Sequence, residues 1–411
     1  MKALEFRKSI PRYALLRLLG SRCPRGMVAR IAPLSLREVP PPRLPTPQWV
    51  RVRPTLAGIC GSDLATFCAK GSPYLAPITS MPFVPGHEVV GTVTELGAQA
   101  RRFAVGDRVV LQPALGCTVR GIEPQCAACA AGQDALCCNV MRGDISSGIQ
   151  TGYCRDTGGG FSEGFVAHQS QLYRVPDSLP DRAAVLIEPF ACALHAALRA
   201  RPADADTVLV IGCGAIGLLT VAALRATGCK ARILAVAKYD HQRAFASGFG
   251  VDVLLPAGGP IGQRYRHWAD AIGAEVLDPE LGKPAVIGGA DVTFDCVASS
   301  ASIDDAIRFT RSGGRLVLVG MPGIPRGIDW TPLWYKELNL HAAYAYGREE
   351  IAGKIVQTFD VAIEVMQTCS EKLSEIVGLD YPLTEYRAAI SCALSSDQNN
   401  FPKTVFRLGD D

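Results

Sequence analysis

No stretch of this sequence is apolar over the ~18 residues that a bilayer-spanning helix needs, so no transmembrane segment is expected. Neither sign of charge is in excess. The 42 Lys and Arg against 39 Asp and Glu leave a net charge of +3. That is too small to argue for nucleic acid or an anionic membrane as a partner. A secretion signal is poorly supported, because Arg17 interrupts the apolar run at residues 14–19. No internal repeat is evident. Without a secretion signal, the fifteen cysteines point to a reducing cytoplasm, with most of them serving as small buried hydrophobes. The 411 residues, 48% hydrophobic and 20% charged, have ordinary globular composition and allow two domains.

Four cysteines stand apart from the scatter: Cys117, Cys126, Cys129 and Cys137. The last three have C-x2-C-x7-C spacing, and Gly132 lets the loop turn between them. Four thiolates on one loop suit a closed tetrahedral zinc site that shapes the loop and does no chemistry. The eight residues between Cys117 and Cys126 make a long first gap. The Gly, Pro and small residues in between still favour metal over chance clustering.

Four further motifs flank this lobe: G-I-C-G-S-D at residues 58–63, P-G-H-E-V-V-G at 85–91, I-E-P-F-A-C-A-L-H-A at 187–196 and V-L-V-I-G-C-G-A-I-G at 208–217. In this order they resemble the zinc-dependent medium-chain alcohol dehydrogenase superfamily over nearly the whole chain. The likeness is greatest to the branch with Glu-Pro in the third motif, which includes sorbitol- and threonine-dehydrogenase-like enzymes. The resemblance implies an α/β chain of two domains. A mainly-β GroES-like catalytic domain would cover 1–190 and 345–411, with the zinc lobe at 113–138. A Rossmann domain with a doubly wound parallel sheet would cover 191–344.

The local texture agrees. Short β-branched runs broken by Gly97 and Gly106-Asp107 fill residues 89–110. Strand and helix patterns alternate after residue 190. Strands are expected near 1–8, 50–53, 208–211, 233–237, 291–296 and 315–320, with a helix at 216–227. Prolines 40, 41, 42, 45 and 47 exclude regular structure between the first two strands. Two stretches depart from the family pattern: a basic, helix-leaning insertion at 9–27, and the Gly- and Pro-rich residues 256–290 with a short helical piece near 265–272.

A catalytic zinc takes three protein ligands and keeps one position open. The resemblance assigns these ligands to Cys60, His87 and Glu188, with Glu88 as a direct ligand or one that exchanges with substrate. It gives Asp63 the role of orienting His87. It gives Ser62 the role of accepting the substrate hydroxyl proton. The family's later relay histidine is missing, since Leu64-Ala65-Thr66 follows Asp63. The onward proton path can run through the cofactor ribose, Thr66 or water.

Residues 212–217 fit G-x-G-x-x-G between an apolar strand and a helix, the context that a dinucleotide turn requires. Gly212 permits the turn, Gly214 lets pyrophosphate approach, and Gly217 allows close helix–strand packing. The amides of Ala215 and Ile216 open the helix toward the anion. At the end of the second strand, counting back from 250–252 puts Ala237 where an acidic residue would bind the ribose 2′-hydroxyl. Lys238 and Arg243 follow, which favours NADP. A shift of register would bring Asp240 to the ribose and restore NAD.

The expected activity is hydride transfer between an alcohol and NAD(P) by an enzyme with two zinc ions per chain. The branch suggests secondary alcohols, polyols or sugars. The alternatives are a zinc-free quinone or enoyl reductase on the same scaffold, or a non-catalytic NADP-binding redox sensor. Relatives imply a homodimer or homotetramer, and the small net charge and lack of an apolar span lead to no expected nucleic acid or membrane partner. Trp330, Trp334 and Tyr335 are expected to serve packing.

Overall fold

In the computed structural model, residues 1–20, 23–351, 353–395 and 400–409 are described. The chain divides into two compact units. One comprises residues 1–188 and 346–411, the other 189–345.

The first unit is built on a seven-stranded sheet. Its order is Val377–Pro382, Lys403–Arg407, Trp49–Gly58, Glu88–Leu96, Arg108–Leu111 and Leu172–Arg174, with Phe165–His168 also paired to Trp49–Gly58. The central strand Trp49–Gly58 alternates as period-2 side-chain geometry requires. Val50 and Val52 are buried, while Arg51 is half-buried and Arg53 exposed. Its inner face joins a core that includes Phe67, Phe83, Phe161, Phe165 and Phe406. This strand matters for function because it runs straight into Cys60. The opening strand Lys2–Phe6 pairs antiparallel with Leu34–Glu38. Between them the basic insertion forms two helices, Ile10–Leu19 and Arg25–Ile31.

The second unit is a six-stranded parallel sheet in the order Val253–Pro256, Arg232–Ala237, Thr207–Ile211, Ala290–Asp295, Thr310–Leu318 and Asn339–Ala342. The strand expected at 315–320 starts earlier, because its first half lies beside Ala290 before the register shifts. Residues 256–290 are more regular than their composition suggests. They hold the helix Ile261–Ile272 and a hairpin of Glu275–Leu277 with Ala285–Ile287. The helix is set by burial. Trp268 packs 5.0 Å from the Phe309 ring and donates Nε1–H to the Pro256 carbonyl at 2.8 Å. Tyr265 donates its hydroxyl to Asp305 at 2.6 Å.

The packing role expected of the aromatic trio is overturned. Trp330 is 49% exposed, Trp334 77% and Tyr335 70%. They lie on and beside the short helix Thr331–Tyr335, just ahead of the edge strand Asn339–Ala342, whose four residues are all exposed. No further strand of this unit covers that edge among the described residues.

Candidate metal centres and cofactor turn

Cys60 caps the helix Gly61–Phe67, with its amide donating to Asp63 Oδ2 at 3.0 Å. Asp63 is fully buried. Burial raises its carboxyl above the ordinary range, against the opposing pull of His87 and the Cys60 amide. Its other oxygen lies 3.7 Å from His87 Nδ1, close enough for an electrostatic contact and beyond hydrogen-bond distance.

The ligand atoms of Cys60, His87 and Glu88 lie within 4.8 Å of one another. The carboxylate of Glu188, at the head of the helix Ile187–Ala200, is outside that group. It still acts electrostatically on His87. Burial works against a charged imidazole, yet Asp63, Cys60 and Glu188 outweigh it and push the His87 pKa well up. Such an excess of anionic groups around one imidazole fits a divalent cation taking the place of its proton.

Glu88 has a partner that sequence reasoning missed. Lys403, from the last strand, forms an ion pair with Glu88 Oε2, and their side chains are 4% and 2% exposed. Burial works to strip the Lys403 proton, but Glu88, Cys60 and Glu188 prevail and raise its pKa. The pair occupies space left by Gly58. A Cβ there would fall 2.1 Å from Glu88 Oε2 and 2.8 Å from Lys403 Cε.

Ser62 Oγ is enclosed and has no hydrogen-bond partner among the described residues. It is a hydrogen-bonding neighbour of the Tyr153 hydroxyl and favours ionisation of that group, at a geometry short of a full hydrogen bond. Tyr153 is the second residue that the sequence did not suggest. Its hydroxyl donates to Asp63 Oδ1 at 3.4 Å and meets Thr66 Oγ1 at 3.2 Å. Burial and then Asp63 hold its pKa well above 10, so it stays a neutral hydroxyl.

The four lobe cysteines also converge within 4.8 Å, all as free thiols. Cys117 Sγ and Cys137 Sγ are 3.6 Å apart. Two sulfurs each about 2.3 Å from one tetrahedral centre would be roughly 3.8 Å apart. Amides already point at the sulfurs. Cys117 N donates to Cys129 Sγ at 3.3 Å, Cys126 N to Cys117 Sγ at 3.4 Å and Asn139 N to Cys137 Sγ at 3.3 Å. The amides of Cys129 and then Cys138 bring the Cys126 pKa down to about 6, while burial pushes Cys137 up to about 11. A bound cation favours the ionised form of its ligand thiols. Arg120, wholly buried, holds the surrounding loop. Its guanidinium donates to the carbonyls of Leu115 at 2.9 Å, Arg142 at 2.9 Å, Ile145 at 3.2 Å and Gly148 at 2.6 Å.

In the second unit, Gly212 has φ +97°, and Gly217 approaches so closely that a Cβ would sit 1.8 Å from the Gly212 carbonyl oxygen. The space beside Gly214 is open. The helix Ala215–Ala226 begins at this turn, with Ile216 in its first turn. Ala237 ends the second strand, and Lys238 Nζ lies 5.1 Å from the Tyr239 ring centre. Arg243 pairs with Asp240 at 3.7 Å.

Residues 46–177 match the alcohol dehydrogenase GroES-like domain family, and residues 215–360 the zinc-binding dehydrogenase family. The L-idonate 5-dehydrogenase of Vitis vinifera is 30% identical over 329 residues, 78% of this chain and 80% of that protein. The sorbitol dehydrogenase of Arabidopsis thaliana is 30% identical over 328 residues, 78% and 81% of the two chains. The crystal structure of 2R,3R-butanediol dehydrogenase from Bacillus subtilis superposes with a TM-score of 0.69 at 22% identity, covering 99% of each chain, and shows the same fold. The chain belongs to the zinc-dependent medium-chain alcohol dehydrogenase superfamily.

As a member of that superfamily it is an oxidoreductase of CH–OH groups. Its GroES-like unit brings Cys60, Ser62, Asp63, His87 and Glu88 together, and adds Lys403 and Tyr153. Neither addition had a readable signal: both are single residues in unremarkable surroundings, joined to the motifs only by the sheet. Replacement of Cys117 by Ser tests the lobe. The variant is expected to carry one zinc fewer per chain by elemental analysis and to melt at lower temperature, because structural zinc contributes folding energy. Retention of both zinc content and melting temperature would remove the lobe assignment.

Proposed function

We propose that this dehydrogenase oxidises secondary alcohols of the polyol or sugar class, and reduces the matching carbonyls, with NADP preferred over NAD. The observation that carries the reading is the half-buried Cys60 thiol beside the buried His87 imidazole, with Glu88 in the same group and Glu188 acting on His87, next to the enclosed Ser62 hydroxyl. A zinc ion held there would lower the pKa of a bound alcohol or polarise a carbonyl, and a bound NAD(P) would supply the hydride chemistry. Ser62 Oγ receives the substrate hydroxyl proton, and Thr66 and Tyr153 offer hydroxyls for its onward passage. Asp63 keeps His87 oriented. The idonate and sorbitol activities named for the two plant relatives support a polyol substrate. A panel of polyols, sugars and simple secondary alcohols, assayed with both cofactors, tests this. Turnover is expected on polyols, with kcat/KM roughly tenfold to hundredfold higher with NADP, the range of one charge-assisted contact to a phosphate. The Cys60→Ser variant is expected to fold and to be inactive. A clear preference of the unmodified enzyme for NAD would reject the cofactor assignment.

Cys60, His87 and Glu188 are the three ligands we favour, with Glu88 held in reserve. To reach a metal, Glu88 must leave Lys403, and breaking a buried ion pair costs about 3–5 kcal/mol. Glu188→Gln is therefore expected to lose the catalytic zinc, while Glu88→Gln keeps it. The opposite zinc contents would exchange the two roles.

Assembly follows from the edge strand Asn339–Ala342. Its exposed backbone and the aromatic residues ahead of it suit pairing with a second copy. Light scattering is expected to give a dimer or a tetramer, and a Leu340→Pro variant to give monomers. A monomeric parent protein would reject this. The free state of all fifteen cysteines supports a reducing, cytoplasmic setting.

A further inference from the structure

The N-terminal insertion takes no part in the chemistry above, and there the charge balance breaks down. Residues 6–37 hold eight of the 42 Lys and Arg and none of the 39 Asp and Glu. A net charge of +3 thus averages a strongly basic segment with a net acidic remainder.

The helix Ile10–Leu19 sorts its side chains by face. Ile10, Ala14 and Leu18 follow one another at i, i+4 and i+8, and Pro11 and Leu15 lie along the same side. All five are exposed, Ile10 by 69%, Leu15 by 45% and Leu18 by 85%. Leu16, on the other side, is buried against the protein. Arg12 and Arg17 border the apolar stripe and are fastened inward. Arg12 Nη1 donates to the Ala32 carbonyl at 3.4 Å, and Arg17 Nη1 to the Ala69 carbonyl at 3.2 Å. Met27, 45% exposed, adds to the apolar surface from the next helix, and Lys8 and Arg30 are exposed nearby.

Three kinds of partner can be weighed on charge and polarity. A nucleic acid would use the cations and leave Ile10, Leu15 and Leu18 in water. A second copy would cover the stripe but would bring two basic segments together. An anionic bilayer satisfies both features, since acyl chains receive the leucines while headgroups meet the flanking cations. We propose that this insertion is an interfacial anchor that docks the enzyme on an anionic lipid surface, with Ile10, Leu15 and Leu18 entering the headgroup boundary. The Arg17–Ala69 bond fixes the anchor to the turn that follows the helix of Ser62 and Asp63. The unit with the metal site is thereby held at the membrane.

Sedimentation of the full-length, zinc-loaded enzyme with vesicles tests the proposal. Vesicles of phosphatidylcholine with phosphatidylserine are expected to carry it down, and added salt to release it. Vesicles of phosphatidylcholine alone are expected to leave it in solution. The double variant Leu15→Glu/Leu18→Glu should lower the partition coefficient at least about tenfold, the scale of one buried leucine. Lys8→Glu/Arg30→Glu should have a similar effect through charge. Both variants should oxidise alcohol in solution like the parent. Absence of binding, equal binding to both vesicle types, or binding unaffected by Leu15→Glu/Leu18→Glu would overturn the anchor. A fall in molecular mass caused by Leu15→Glu/Leu18→Glu would assign the stripe to a second copy and overturn it as well.

Discussion

The metal centre depends on one constraint: Cys60, Asp63, Glu88 and His87 share a space that water scarcely enters. Negative groups this close repel strongly at low dielectric, so the fold must supply positive charge. Lys403 supplies part of it, fixed against Glu88 and acting on Cys60 and Glu188. One ammonium faces more than one carboxylate here, and a divalent cation suits the remaining negative charge. Gly58 is the backbone's answer to the same constraint. It stands opposite Glu88 in the antiparallel register, where any side chain would displace the ion pair. In G-I-C-G-S-D the first glycine makes room for a lysine more than three hundred residues away.

The lobe solves a related problem by other means. Here the Asp134 carboxylate meets the Cys129 sulfur by a hydrogen bond. Backbone amides aim at the lobe sulfurs, and the buried Arg120 collects the carbonyls of residues 115–148 into one loop. Burial lowers the Arg120 pKa, with the nearby thiols acting the other way. The guanidinium still keeps carbonyl acceptors on each of its three nitrogens. Thus the loop geometry is set by hydrogen bonds that converge on one side chain, and the metal closes a cage already outlined. The open centre, by contrast, must keep one position for substrate. It is framed by side chains from separate strands, whose placement depends on the whole sheet.

That difference explains what could be read from the residues. Ligands within one loop, such as Cys126 and Cys129, carry their geometry in their spacing. So do Gly212, Gly214 and Gly217, whose roles follow from a single turn. Strand and helix positions in the second unit were legible because buried parallel strands are short apolar runs. Lys403 was not legible, since its position comes from the order in which Lys403–Arg407 pairs with Trp49–Gly58. Tyr153 reaches Asp63 from a loop with no pattern of its own. The trio Trp330, Trp334 and Tyr335 misled because aromatic side chains usually signal a core, and here they flank an edge strand. The helix Ile261–Ile272 was underread because its flanking glycines and prolines hid the contacts with Phe309 and Asp305.

Placement also decides how the charges beside the cofactor turn should be weighed. Asp240 would favour NAD if it faced the ribose. It opens the helix Asp240–Gly248 instead, where an acidic side chain suits the helix dipole, and its carboxylate pairs with Arg243 one turn on. Both side chains are solvated, so the pair is weak. Lys238 comes directly after Ala237, its ammonium beside the face of Tyr239. A cation kept near an aromatic ring at that point has less freedom to lose on meeting a phosphate. Two cations, Lys238 and Arg243, stand near the turn against one carboxylate, Asp240. Asp240 and Arg243 pair with each other, and Lys238 directly follows the end of the second strand.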